Sequence, residues 1–522
     1  MLDSGDSPVR SLPTRKCMLA TMKVLAVAAI RIFFAVSVPI SALRGQSSPD
    51  VVSNLDGVWL GELHTGAKTL WIQVRIQTTG PVQKCLWDSI DQKAFGIPCR
   101  NLVMNGNAVS FDVPTARGKW RGTLSEDGKT LTGMWTHGSP LPLTLEWQRK
   151  QIDPPEVKFD PVMPPVNVED LQAVLDRDLA ETLNIGELAP TTHGGVTIGI
   201  LSHGVQRVFS YGTAKPDSVF EIGSVTKTFT GLLLAQMTQQ GLVKLDEPVR
   251  ELLPPGTVVK PLWGAEITLL DLSDQHSGLP RMPDNFHPAD PANPYADYDA
   301  KALYEWIGKQ SVALPPDAPF GYSNVGVGLL GQALANRAGM SYADLLREQI
   351  TGPLGMHDTG IDLTPEMKVR FIPGYSAKHL PATAWDLNAL VGAGGIRSTA
   401  ADMLTYLKAQ LHQDTLPHSV LLSAQGKTLP AAIAASQKIH AGAGLSHMHI
   451  ALNWFYEDGT GNYWHNGATG GYSSYAIFNP KEDFALTVLS NTSPGPNGSF
   501  VDKLEMHIFQ RLMGWQATSL VP

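Results

Sequence analysis

Hydrophobic residues recur with two different periods along this chain, and the change of period divides it. Between Asp56 and Arg149 the period is two: Leu70, Ile72, Val74 and Ile76 alternate with residues facing the other way, and Val109, Phe111 and Val113 repeat the pattern. Such alternation predicts half-buried strands. Asn105-Gly106 and Asp127-Gly128 favour the left-handed backbone of tight hairpins, and no helical pattern intervenes. Six of the twelve Trp fall here, at Trp59, Trp71, Trp87, Trp120, Trp135 and Trp147. Aromatic residues at strand spacing ordinarily fill the inside of a small barrel, so they are read as core in preference to a ligand cage. Residues 51–150 are thus expected to form a small all-β, barrel-like accessory domain.

Pro154, Pro155, Pro161, Pro164 and Pro165 make 151–167 a linker too proline-rich for helix or central strand. From 168 to 522 helical and strand periods mix. The pattern predicts a helix over about Glu169 to Leu183, strands at Val196 to Leu201 and Gln206 to Tyr211, and helices through the middle. Strands return at Ile450 to Tyr456, Ser473 to Phe478 and Phe484 to Leu489, and Phe500 to Met513 closes the chain as a helix. Helices bracketing a largely antiparallel sheet give an α+β class.

The 522 residues are 43% hydrophobic and 17% charged, which excludes disorder and coiled coil, and a net charge of −8 without a basic block leaves no footprint for nucleic acid. Residues 1–46 are unlike the rest. Arg10, Arg15, Lys16 and Lys23 precede the apolar run Val24 to Ile40, with small residues at Ser41 and Ala42 after it. This is the layout of a secretory signal peptide, with Met22 as an alternative start, and it predicts an exported, periplasmic or secreted protein. Arg31 inside the run disfavours a retained membrane span. Removal of the leader also removes Cys17. Cys85 and Cys99 remain, fourteen positions apart, and either close a disulfide in an oxidising compartment or stay two buried thiols.

Phe220-Glu221-Ile222-Gly223-Ser224-Val225-Thr226-Lys227 introduces a helix that continues through Met237. Ser224 falls at its N-terminal end and Lys227 lies one turn on, on the same face, so the amine can reach the hydroxyl. A serine hydroxyl is a weak nucleophile until a base takes its proton, and a lysine buried among Ile222, Phe229 and Leu233 can have its pKa lowered enough to help. On its own the spacing also fits an N-cap Ser followed by a surface Lys. Two further segments carry chemistry. Phe320-Gly321-Tyr322-Ser323-Asn324-Val325-Gly326 precedes an apolar helix, and Trp464-His465-Asn466-Gly467-Ala468-Thr469-Gly470-Gly471 opens onto a strand near Ser473. Alone, the first reads as a turn with a capping Asn and the second as a strand-end histidine. His447-x-His449 offers two imidazoles without an evident third ligand, so no metal site is expected.

Taken together, Ser224-x-x-Lys227, Tyr322-Ser323-Asn324 and His465-Asn466-Gly467 resemble the three active-site motifs of the penicillin-recognising serine hydrolases, the class C β-lactamase and D-alanyl-D-alanine carboxypeptidase/endopeptidase group. The resemblance covers about 168 to 515. Flanking text supports it at His276-Ser277-Gly278-Leu279, Pro353-Leu354-Gly355-Met356, Ser398-Thr399-Ala400 and Val488-Leu489-Ser490-Asn491. It implies a β-lactamase-like antiparallel sheet flanked by helices, and no cofactor. It implies Ser224 as the acylated nucleophile, Lys227 as its partner, and Tyr322 as the group that takes the Ser224 proton and passes it to the leaving group. Asn324 is implied as a ligand of the substrate amide. His465, Asn466 and Gly467 would line the substrate, and the backbone N–H groups of Ser224 and Ala468 would form the oxyanion hole. A cationic Lys227 beside Tyr322 would lower the phenol's pKa.

Two departures bear on substrate. His465 stands where lactamases usually carry Lys, and Asn466 replaces the usual Thr. A lysine suits a substrate carboxylate at any pH, whereas a histidine is only fractionally charged at pH 7. The His form is more similar to the peptidase and esterase branches. The expectation is an exported hydrolase acting through an acyl-enzyme on β-lactams or D-alanyl peptides, including peptidoglycan peptides. A short-chain esterase and a slow-turnover penicillin receptor are the alternatives, and the oligomeric state is open.

Overall fold

The computed structural model describes residues 55–520 apart from 65–68, 80–81, 91–93, 117, 138, 149–157, 258, 263–265, 310, 314–318, 446 and 496–497. The leader, Met22, Cys17 and the linker prolines Pro154 and Pro155 lie outside these residues. Among the described residues no helix is long and apolar enough to cross a membrane.

The period-two region folds as nine antiparallel strands: β1 (Gly57–His64), β2 (Thr69–Thr79), β3 (Val82–Ser89), β4 (Ala94–Pro98), β5 (Arg100–Asn105), β6 (Ala108–Val113), β7 (Gly118–Leu124), β8 (Thr130–His137) and β9 (Ser139–Gln148). Their order, β4-β3-β2-β1-β9-β8-β7-β6-β5, is a nearly closed barrel whose two edge strands are consecutive in the chain. Register places Trp59 opposite Val74, Val74 opposite Trp87, and Trp120 opposite both Phe111 and Trp135, so one face collects the large side chains. Trp59, Trp87, Trp120 and Trp135 are buried, and Trp87 stacks on Trp135 at 4.4 Å between ring centroids. The Trp120 indole, which must find an acceptor once buried, donates to Leu143 O at 3.1 Å. Trp71 and Trp147 depart from the core reading. They are exposed at 41% and 39%: alternation turns Trp71 to the outer face, and Trp147 lies one residue from the end of β9. Cys85 and Cys99 form a disulfide, with Cα atoms 5.1 Å apart across the end of the β3–β4 pairing.

The second sheet has eight strands: β10 (Gly195–Ser202), β11 (Val205–Gly212), β12 (Ala441–Gly442), β13 (Met448–Ile450), β14 (Phe455–Glu457), β15 (Asn462–Ala468), β16 (Ser473–Asn479) and β17 (Phe484–Ser490). Its order is β11-β10-β17-β16-β15-β14-β13-β12, antiparallel throughout. Three helices carry or adjoin the motif residues: α1 (Thr226–Gln239), α2 (Asn324–Ala338) and α3 (Phe500–Met513). One face of the sheet packs Val196, Ile198, Ile200, Leu486 and Val488 against Leu171, Leu175, Val501, Leu504 and Ile508. A larger core joins Phe478, Ala485 and Leu489 to Phe229, Leu232 and Leu233 of α1. Helices on both faces of an antiparallel sheet give the expected α+β layers.

Two expectations differ in detail. The helix expected over Glu169 to Leu183 is two pieces, Leu171–Asp178 and Ala180–Ile185. Ile450 to Tyr456 is not one strand: β13 ends at Ile450, and Asn453 turns the chain at φ +62° before β14. The Asn453 side chain is buried, accepting from Gln275 and donating to Ser273, and these bonds hold the turn. An apolar run conceals such a turn, because its cause lies in residues nearly two hundred positions away.

Candidate active site

Three separate segments meet around Ser224. The first is the turn before α1. Phe220–Glu221 pairs with Arg397–Ser398, Ile222 N donates to Ile396 O at 3.0 Å, and the Thr226 hydroxyl accepts from Ile396 N at 3.1 Å. Gly223 then adopts φ +48°, and a Cβ there would meet the Ala468 N at 2.6 Å, so only glycine lets this turn lie against the end of β15. Ser224 follows in a 3-10 turn leading into α1, at the end where the helix dipole favours negative charge. Its side chain is half-buried and therefore reachable.

Lys227 is wholly buried on α1. Its Nζ is 2.9 Å from Ser224 Oγ and 2.6 Å from Ala393 O. Burial, with the Arg281 cation adding to it, drives the ammonium pKa well below the ordinary lysine value. An amine whose charged form burial disfavours, fixed by a carbonyl and touching a serine hydroxyl, is placed to act as a base.

The second segment is the start of α2. Ser323, not Asn324, caps the helix: its Oγ accepts from Gly326 N at 2.9 Å and donates to Pro280 O at 2.7 Å. Capping by Ser323 spares Asn324 that task. Asn324 lines the small cleft beside Ser224 together with Gly223, Tyr295, Trp385, Leu387 and Ala468. The Tyr322 ring centroid lies 5.0 Å from Lys227 Nζ. Loss of surrounding water pushes the Tyr322 phenol up to about 12, more than its hydrogen bond to Ser224 and the Arg281 charge pull it down. This corrects the expectation of a depressed Tyr322 pKa through Lys227. Removing the phenol from water disfavours its anion by more than the neighbouring donor and cation favour it, so desolvation wins.

The third segment is β15. Gly467 sits so close to the nucleophile turn that a Cβ there would meet Ile222 O at 2.1 Å and Ser224 N at 2.9 Å. Its role is close approach, with Ser474 Oγ donating to the same Ile222 O at 2.7 Å. His465 faces the same side, its ring 6.1 Å from Tyr322 and 5.4 Å from Phe455. Burial first, and Lys227 second, depress its pKa to about 3, so the ring is neutral across the working range. Asn466 points elsewhere. Alternation along β15 sends its amide to the other face, where it donates to Asp502 of α3 at 3.3 Å. Its expected place beside the substrate is therefore not where the structure puts its side chain, a consequence of the strand's period of two.

Arg281 was invisible at the level of motifs. Its guanidinium covers the Tyr322 ring at 5.1 Å, and its backbone carbonyl accepts from Asn324 N at 3.0 Å. The spacing of motifs carries no signal for it. His447 is an exposed turn residue and His449 meets Asp458 at 2.7 Å. Among the described residues the one cluster with three metal-type ligands is Asp160, Asp178 and His507. There Arg511 already donates to both carboxylates, at 2.7 Å and 3.1 Å, which makes it an ion-pair network.

Known proteins share both the sequence pattern and the fold that carry this geometry. The family model described as Beta-lactamase matches residues 187–508. The D-alanyl-D-alanine-carboxypeptidase/endopeptidase AmpH of Escherichia coli K12 is 30% identical over 308 residues, 56% of this chain and 79% of that protein. Among solved structures, a class C β-lactamase from Rhodobacter sphaeroides aligns with a TM-score of 0.50 at 26% identity, covering 62% of this chain and 94% of that one. A β-lactamase/D-alanine carboxypeptidase from Yersinia pestis, complexed with citrate, gives 0.51 at 25% identity, with coverage of 63% and 94%.

Proposed function

The chain belongs to the β-lactamase family of serine hydrolases, and from that premise we propose that it is an exported enzyme that acylates Ser224 with D-alanyl peptides and β-lactams. The observation that carries the reading is the contact between Ser224 Oγ and the buried, pKa-depressed Lys227 at the head of α1. In this reading neutral Lys227 takes the Ser224 proton as Oγ attacks the acyl carbon. Charge developing on the carbonyl oxygen meets the Ser224 and Ala468 N–H groups and the helix end. Tyr322, protonated at neutral pH, gives its proton to the leaving nitrogen as the C–N bond breaks, and Lys227 returns a proton to Tyr322. The acyl-enzyme then reacts with water by the reverse assignment. Asn324 holds the substrate amide. Residues 51–150 act as an accessory module beside the 168–522 hydrolase.

A neutral His465 favours, as the second reading, hydrolysis of uncharged short-chain esters. The test is a parallel assay of D-alanine release from a peptide ending in D-alanyl-D-alanine and of ester cleavage, each with wild type and Ser224→Ala. D-alanine release that vanishes in the variant supports the proposal. Ester cleavage without D-alanine release contradicts it in favour of the esterase.

A further inference from the structure

A substrate that ends in a carboxylate is recognised best by a cation able to bond it. His465, in the place of a lysine, is not that cation. Its Nδ1 lies 2.6 Å from the Asn466 carbonyl oxygen, which can only accept, so the ring proton sits on Nδ1 and Nε2 is a bare acceptor. A bare imidazole nitrogen repels a carboxylate. Lys227 is committed as well, held between Ser224 Oγ and the Ala393 carbonyl with no exposed surface.

Arg281 is differently placed. It is exposed, and its guanidinium stands over the Tyr322 ring, a geometry in which the aromatic face holds a cation without using up its donors. Its backbone is pinned to α2, because its carbonyl accepts from both Asn324 N and Val325 N. The backbone is thereby fixed relative to Asn324, and the guanidinium lies over the Tyr322 ring. Among the described residues no carboxylate or carbonyl pairs with the guanidinium. Five donors in a planar fork, permanently charged, are left facing solvent at the mouth of the site.

We propose that Arg281 binds the C-terminal carboxylate of the leaving group, taking over a task His465 cannot perform, so that the site selects substrates with a free carboxylate over their amides and esters. The inference rests on the reading of Ser224 as nucleophile and Tyr322 as proton donor. In a D-alanyl-D-alanine peptide the carboxylate is one carbon away from the leaving nitrogen. That nitrogen has to approach the Tyr322 hydroxyl, which puts the carboxylate on the side that Arg281 covers.

The experiment compares wild type, Arg281→Ala and Arg281→Lys on one peptide in two forms, ending in D-alanyl-D-alanine as the free acid or as the C-terminal amide. The readout is the ratio of kcat/KM for acid over amide. A charge-assisted hydrogen bond predicts that this ratio falls ~10-fold or more in Arg281→Ala, chiefly through KM of the acid, and recovers in part in Arg281→Lys. If Arg281 only braces the Tyr322 ring, both forms lose activity alike and the ratio stays within ~2-fold, which overturns the inference. A wild-type ratio near one overturns it too. Wild-type inactivity on both peptides overturns the proposed function itself, and is seen before any variant is compared.

Discussion

Gly467→Ala probes whether the strand β15 is held against the nucleophile turn as tightly as the geometry says. A methyl group at Gly467 would lie 2.1 Å from Ile222 O, 2.5 Å from Ser474 Oγ and 2.9 Å from Ser224 N, where ordinary contact begins at 3.4 Å. Two of these three neighbours are backbone atoms that cannot rotate away, so strand and turn have to part by about 1 Å. The residue that moves with Gly467 is Ala468, whose N–H is the proposed second donor to the oxyanion. Overpacking of this kind costs ~1–3 kcal/mol of stability, which an enzyme with a large core survives. Displacing one oxyanion donor costs ~100-fold to 1,000-fold in kcat, or ~3–4 kcal/mol of transition-state stabilisation. The assay is steady-state hydrolysis of a chromogenic cephalosporin or a peptide, beside a thermal melt to establish folding. A folded Gly467→Ala protein with kcat within ~3-fold of wild type would refute the oxyanion assignment and the close packing that motivates it.

Two further predictions concern buried titratable groups. The His465 pKa is about 3 in the folded protein against 6.5 for a free ring, so the unfolded chain takes up a proton that the folded one refuses. Stability contributed by keeping His465 neutral is lost as pH falls from ~6.5 toward 3, on the order of 5 kcal/mol in full. His465→Gln removes that loss, and its melting temperature relative to wild type should rise as pH drops from 7 to 4; a constant difference would contradict the assigned burial. Glu505 on α3 works in the opposite sense. Burial first, then Asp502 and Glu457, push its carboxyl up to about 8, so the folded state holds the proton more tightly and stability is lost as pH rises through 8. Glu505→Gln should stabilise the protein at pH 9 and leave it nearly unchanged at pH 4, checked by urea unfolding at both values.

What the chain discloses before folding depends on how local the cause is. Phe500 to Met513 was legible to the residue, because its amphipathic pattern and the Gly514 stop are both local, and Gly514 does take φ +66°. The barrel strands were legible from alternation, and the burial of Trp59, Trp87, Trp120 and Trp135 follows from it. The turn at Asn453 was not, since bonds to Gln275 and Ser273 stabilise it. At the site, motif order brought Ser224, Lys227, Tyr322, Asn324 and His465 to one place. Motif matching misplaced Asn466, although the strand's own alternation with His465 contained the answer. The Tyr322 pKa and the position of Arg281 depend on desolvation and on a loop packed against α2, neither of which a spacing encodes.

Acylation of Ser224 is tested most directly by intact-protein mass spectrometry of the mature enzyme incubated with benzylpenicillin, followed over time and mapped by peptide digestion. The expected result is one penicilloyl group on Ser224, absent from Ser224→Ala and formed much more slowly by Lys227→Ala. No adduct in a folded wild-type protein across repeated time points, or an adduct that persists in Ser224→Ala, would contradict the assignment of Ser224 as nucleophile.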